Sequence, residues 1–272
     1  MVVRELVGRL TERYRPLIRL AKWGALLFGV SFVAFTVLPI YPSDFSQPPN
    51  AFLGYMKDSF AVYVLLLMEH QLLPAGATII VIGPFDAFTA IMEIGFYLSL
   101  TITIPYLVWG FLRWLSPALT RKEIWAIRRT LVLATFLFFA GFFITYFWLL
   151  PPIYQFSYTL QPVVGASGTL SLEAFIETTF LFLLGVGIAF EIPPLCLGLA
   201  YVGILSSKVM GHYWNIAGAA CFVIAFIISP GVGGGVIETL LAMMLWGLYG
   251  LSYLLVRRVE KNKWAEALTV VS

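Results

Sequence analysis

The stretch FIETTFLFLLGVGIAFEIPPLCLGLAY, residues 175–201, decides which solvent this chain is built for. It carries two carboxylates, Glu177 and Glu191, and no basic residue. A helix that crosses a bilayer needs about 20 mainly apolar residues, and this run exceeds that length. The same criterion, applied outward, picks out Trp23–Ile40, Ile94–Leu112 and Thr130–Leu150 before it. Two shorter runs follow, Tyr213–Ile228 and Val236–Val256, separated by SPGVGGG at 229–235. Proline removes a backbone donor there and the glycines permit unusual backbone angles, so the break reads as a tight turn. The fifth run barely reaches across, which implies local thinning of the bilayer.

Bulk composition agrees with this reading. The 272 residues are 60% hydrophobic and 11% charged, with a mean hydropathy of +0.91. A soluble domain carries about 25% charged residues, so water is not the main solvent. The predicted fold class is an all-α integral membrane protein with six transmembrane helices and no separate soluble domain. The segment 41–87 holds YPSDFSQPPN, then AVYVLLLM (61–68) and ATIIVIG (77–83), neither of which can cross hydrocarbon alone. These pieces read as an extracytoplasmic cap packed at the interface.

The placement of charge gives the orientation. Six basic residues precede the first run, five lie between the second and third, one between the fourth and fifth, and four in the tail. Only Lys57 falls elsewhere, so 16 of the 17 basic residues lie on one side of a six-helix alternation. By the positive-inside rule that side is cytoplasmic. The chain therefore divides into a cytoplasmic N-terminal segment 1–22, a membrane domain 23–256 that includes the cap, and a cytoplasmic tail 257–272. The N-terminal segment is too charged for a removable signal peptide, so the first helix is expected to be retained.

Glu191 is the sharpest single signal, because it sits deep in an apolar run. An ionised side chain at a helix centre costs roughly 2.5–3.5 kcal/mol on insertion scales, so it faces a cavity, a partner or a neighbouring helix. Two readings fit: a protonated glutamate hydrogen-bonded within the bundle, or a polar spot that perturbs the bilayer or receives another helix. Pro193 and Pro194 follow and remove donors, which predicts a kink beside the acid. Gly185 and Gly187 allow a neighbouring helix to approach closely. Glu93, Glu173 and Glu177 lie near outer helix ends, where interfacial solvation accounts for them, and Glu238 sits deeper.

On the basic side, the acids Glu5, Glu12 and Glu123 are the exceptions. A carboxylate accepts the bidentate fork of a guanidinium, the geometry that tells Arg from Lys. Local pairing with a neighbouring arginine is the simpler reading of the spacing. Nothing points to catalysis: His70 and His212 are the only histidines, and no HExxH, GxSxG or phosphate-binding loop is present. Cys196 and Cys221 lie in apolar runs without a metal or redox motif. No cofactor, metal or nucleic acid is expected.

Several stretches, in order, resemble the TatC family of the twin-arginine protein translocase. They are FTAIMEIGFYLSLTITIPYLVWGFLRWLSPALTRKE (88–123), FFAGFFITYFWLLP (138–151) and GVGIAFEIP (185–193), followed by VGILSS (202–207), ISP (228–230) and ETLLA (238–242). The Phe-Glu-x-Pro and Pro-Ala-Leu to Glu elements carry most of the likeness. At the N-terminus the family's Glu-Leu-Arg-x-Arg pattern is only echoed, by ELVGRL (5–10) and ERYR (12–15), and distance to the first helix favours Glu12. The usual acid after the proline of the 5–6 turn is replaced by glycines and Val232, and the sixth helix lacks its usual proline.

The resemblance implies a receptor for twin-arginine signal peptides of folded cargo, in the cell membrane, driven by the proton-motive force. It implies signal-peptide binding by Glu12 and Glu123 with Trp114 as the loop aromatic. It further implies an intramembrane polar site at Glu191 and a partner contact at Glu238 for single-span TatA/TatB-type subunits, within an oligomeric active complex. The alternative that the residues leave open is a six-helix secondary transporter of a small solute using Glu191. Such transporters usually carry inverted repeats, and none is evident.

Overall fold

A computed structural model describes residues 2–38, 58–115, 121–165, 169–229 and 235–271, with the side chains of 2–14, 115–128, 164 and 262–271 outside the described set. The first helix, α1, runs Val2–Val37. It begins well before the apolar run, because the Arg, Lys, Glu and Leu residues that precede Trp23 are strong helix formers wherever they are solvated. The next elements are α2 (Phe60–Leu72), a short strand β1 (Thr78–Ile80) and α3 (Asp86–Leu115). Helices α1 and α3 form a long contact. Small residues let their backbones approach: a Cβ on Gly24 would lie 2.8 Å from Leu107 Cδ2, and Gly95 and Gly110 similarly receive Thr36 and Leu20.

Helix α4 (Arg121–Ile144) widens into one π-helical turn at Thr145–Leu149 and continues as α5 (Leu150–Leu160). Pro151 and Pro152 explain the wide turn. A proline lacks an N–H and presses its ring on the carbonyl four residues earlier, so an undistorted helix is excluded here. The Leu150 N–H instead reaches five residues back to the Thr145 carbonyl. The expected run ended at Leu150, whereas the helix persists to Leu160, because Tyr154, Gln155, Ser157 and Thr159 lower hydropathy without breaking a helix.

Strand β2 (Thr169–Ser171) leads into α6 (Leu172–Ala189), where the Ser171 side chain accepts the Ala174 N–H at 3.2 Å as an N-cap. Strands β1 and β2 pair in parallel, Thr78 opposite Thr169 and Ile80 opposite Ser171. This two-stranded pairing lies outside the all-helical expectation. Helix α6 is the centre of the molecule: Phe175, Ile176, Phe180, Leu183 and Val186 are buried in the main apolar core. Tyr97 of α3 stacks on Phe180, ring centroids 4.8 Å apart. Tyr154 of α5 donates to the Phe175 carbonyl at 3.1 Å and shares a 2.7 Å hydrogen bond with Thr179.

Beyond α6 come α7 (Ile192–Tyr201), α8 (Ser207–His212), α9 (Trp214–Ile228) and α10 (Val236–Val271). Large apolar side chains such as Val132, Trp148 and Ile227 point outward and are exposed, as a bundle immersed in hydrocarbon requires. Among the described residues, five helical stretches are long and apolar enough to cross a membrane: Arg15–Val37, Asp86–Trp114, Arg129–Leu160, Leu172–Tyr201 and Val236–Lys261. Trp214–Ile228 is apolar but shorter, and so is Phe60–Leu72.

Candidate functional site

Glu191 stands at the interruption between α6 and α7. The Glu191 N–H bonds the Ile188 carbonyl at 3.0 Å, a tightened turn, and the helix resumes with Leu195 N–H on the Glu191 carbonyl at 3.0 Å. Between those bonds Pro193 and Pro194 offer no donor, so the chain turns at Phe190–Glu191 and re-enters a helix with proline in its first turn. Gly141 of α4 makes room for the turn itself, and Gly185 and Gly187 of α6 let neighbouring side chains close in just before it. A Cβ on Gly141 would come within 2.7 Å of the Phe190 ring, one on Gly187 within 3.1 Å of Phe138, and one on Gly185 within 2.9 Å of Ile228.

The Glu191 side chain is 1% exposed, and neither carboxyl oxygen meets a hydrogen-bond partner among the described residues. It is buried within the protein itself rather than on the lipid-facing surface. Of the two sequence readings, the hydrogen bond that the first required is missing among the described residues. A buried polar group without a partner costs about 1–3 kcal/mol, more if charged. Selection for packing alone would remove it.

Glu238 is fully buried at the start of α10 and accepts a hydrogen bond from the Ser229 hydroxyl at 3.2 Å. It therefore joins the ends of α9 and α10. Trp114 is half-buried near the end of α3, its ring 6.1 Å from Phe111. The guanidinium of the preceding residue, Arg113, lies 5.1 Å from the centroid of Trp109. Glu12 and Glu123 fall on α1 and α4, and their side chains lie outside those described.

Two arrangements were not readable from the sequence. Glu93 of α3 lies within electrostatic reach of Glu173 and Glu177 of α6, so the acids of the two helices form one group. Glu260 of α10 accepts the Ser207 N–H at 2.9 Å and also holds the Ser207 hydroxyl. The i, i+4 spacing of Glu173 and Glu177 hinted at the first, but no local signal marks the second. Among the described residues no group of His, Cys, Asp or Glu converges as a metal site.

This is the frame of a multi-pass helical membrane protein with carboxylates sequestered in its spans. The family described as Sec-independent protein translocase protein (TatC) matches residues 10–243. The chain belongs to that family. A TatC of Helicobacter pylori (strain J99) is 28% identical over 67% of this chain and 72% of its own length. One of Cenarchaeum symbiosum is 30% identical over 72% and 74%. Two crystal structures titled as the twin arginine translocase receptor TatC share the fold. They superpose with TM-scores of 0.66 and 0.67 at 22% and 24% identity, over 88% of this chain and 97% and 98% of theirs. The protein is thus a subunit of the twin-arginine translocase, a protein-transport component rather than an enzyme.

Proposed function

We propose that this chain is the membrane receptor and core subunit of its translocase. It binds the twin-arginine signal peptides of folded cargo and assembles with single-span TatA/TatB-type subunits into an oligomeric export complex in the cell membrane. The observation that carries the reading is the family match over residues 10–243, a range that includes Glu12, Trp114, Glu123, Glu191 and Glu238. No cofactor, metal or nucleic acid takes part.

In this reading the protein crosses the membrane six times, with α9 as the fifth span and both ends in the cytoplasm. The cytoplasmic segment 1–22, the membrane domain 23–256 and the tail 257–272 are its parts. The one-sided distribution of basic residues supports the orientation. A 15-residue helix such as α9 is about 22 Å long, against a hydrocarbon core of about 30 Å. The bilayer beside it thins, and α9 with Glu238 next to it becomes a place where single-span helices gather.

Glu12 and Glu123 accept the two guanidinium forks of the signal, with Trp114 beside them. Hydrogen bonds to charged groups contribute roughly 1.5–3 kcal/mol each, which local geometry turns into a preference for Arg over Lys despite the basic surroundings. The apolar part of the signal then lies along the bundle, and partner helices engage near Glu191 and Glu238.

The test is binding of the detergent-purified protein to a twin-arginine peptide and to the same peptide with Lys-Lys, repeated on Glu123→Ala and Glu12→Ala. Preference for the Arg pair, lost in the Glu123 variant, is the expected result. Equal binding of both peptides, or of neither, removes the receptor reading and makes solute flux through Glu191 the next measurement.

A further inference from the structure

A cleft of about 480 Å³ opens between α8, α9 and α10, lined by Gly211, Trp214, Gly250, Tyr253 and Leu254. Its shape follows from its residues. The two glycines leave the walls without side chains: a Cβ on Gly250 would meet the Trp214 ring at 3.3 Å, and one on Gly211 would meet Tyr253 at 3.6 Å. Trp214 packs against Trp246, Tyr249 and Tyr253, with ring centroids 5.5–6.2 Å apart. Amphipathic rings of this kind sit at the headgroup level of a bilayer.

The rim of the cleft is basic. Arg257 and Arg258 stand four residues beyond Tyr253 and Leu254 on α10, so each occupies the same face one turn further out. Lys208 stands three residues before Gly211 on α8. All three are exposed, and none pairs with a carboxylate among the described residues. Glu260, the acid nearest to them in α10, is held by Ser207. An apolar, aromatic-floored cleft with unpaired cations at its mouth matches a molecule with an apolar tail and an anionic head.

We infer that this cleft binds an anionic phospholipid, an acyl chain lying over Trp214 between Gly211 and Gly250 and the phosphate at Lys208, Arg257 and Arg258. The site rests on the proposed orientation only for the leaflet, which is then the cytoplasmic one, where anionic lipids attract juxtamembrane Lys and Arg. A partner helix is a different occupant, and the cations at the mouth favour the lipid.

The experiment is native mass spectrometry of the full-length protein in detergent with equimolar phosphatidylglycerol and phosphatidylcholine. The wild type is expected to retain phosphatidylglycerol preferentially. K208Q/R257Q/R258Q is expected to lower that retention roughly 100-fold, from about a factor of five for each of the three basic residues. G211L, which fills the cleft at unchanged charge, is expected to lower it severalfold, while R19Q/K22Q on α1 leaves it unchanged. Equal retention of both lipids, loss as large in the α1 variant, full retention by G211L, or displacement by soluble glycerol phosphate would each overturn the site. Lipid retention in detergent needs neither orientation nor signal peptide, so its failure is separable from failure of the receptor reading. Elution as a single species and an unchanged thermal midpoint show that the variants fold.

Discussion

The Glu260 carboxylate accepts the backbone N–H of Ser207 at 2.9 Å across 53 residues of sequence. It ties the far part of α10 to the start of α8 and so fixes the loop from which the short α9 departs. Glu260→Ala removes a charge-assisted bond of about 1.5–3 kcal/mol. A lower thermal midpoint in detergent is the expected outcome. Ser207→Ala, which keeps the backbone bond, should cost less than half as much, and equal losses would mean that the hydroxyl carries the contact.

Glu191→Leu separates stability from function. The carboxyl has no hydrogen-bond partner among the described residues, and replacing such a group with an apolar side chain of similar volume is neutral or stabilising. The thermal midpoint should hold or rise while export of a twin-arginine reporter falls. A large loss of stability would reveal that Glu191 has a structural partner.

Gly141→Leu should be severe. A Cβ there already meets the Phe190 ring at 2.7 Å, and overpacking costs about 1–3 kcal/mol or more. Gly29→Leu on α1, where nothing lies within 4 Å, is the matched control and should fold as the wild type does. Fluorescence-detected size exclusion after heating compares the two.

Tyr154→Phe loses both bonds of the phenol, to Thr179 and to the Phe175 carbonyl. Thr179, released from the phenol, has the Phe175 carbonyl at 2.7 Å as its acceptor, so the loss should stay near about 1 kcal/mol. Thr179→Val leaves the phenol one partner and should cost a similar amount, and the double variant less than the sum, because the three groups form one network.

The spans were legible because a membrane imposes one chemical demand along a whole run, and hydropathy integrates it: Tyr213–Ile228 was expected and α9 begins at Trp214 and ends at Ile228. Helix ends outside hydrocarbon escaped the same measure, which is why α1 begins at Val2 rather than Trp23. The break at Phe190–Glu191 was readable because the absent donors of Pro193 and Pro194 are local facts. Glu93 facing Glu173 and Glu177, or Glu260 reaching Ser207, depends on how helices are placed side by side, and no periodicity within one segment encodes that. That the Glu191 carboxyl meets no hydrogen-bond partner among the described residues is of the same kind, since it depends on which side chains the neighbouring helices bring beside it.

The parallel pair of Thr78–Ile80 with Thr169–Ser171 also orders events in time. A chain threaded into a membrane from its N-terminus makes the first strand early, but the second exists only after α4 and α5 have been laid down. Until then the early strand has no mate, and the region around α2 waits as an open clasp. Two candidate spans, Asp86–Trp114 and Arg129–Leu160, lie between the strands, so the pairing closes only when both have brought the chain back to the level from which it left.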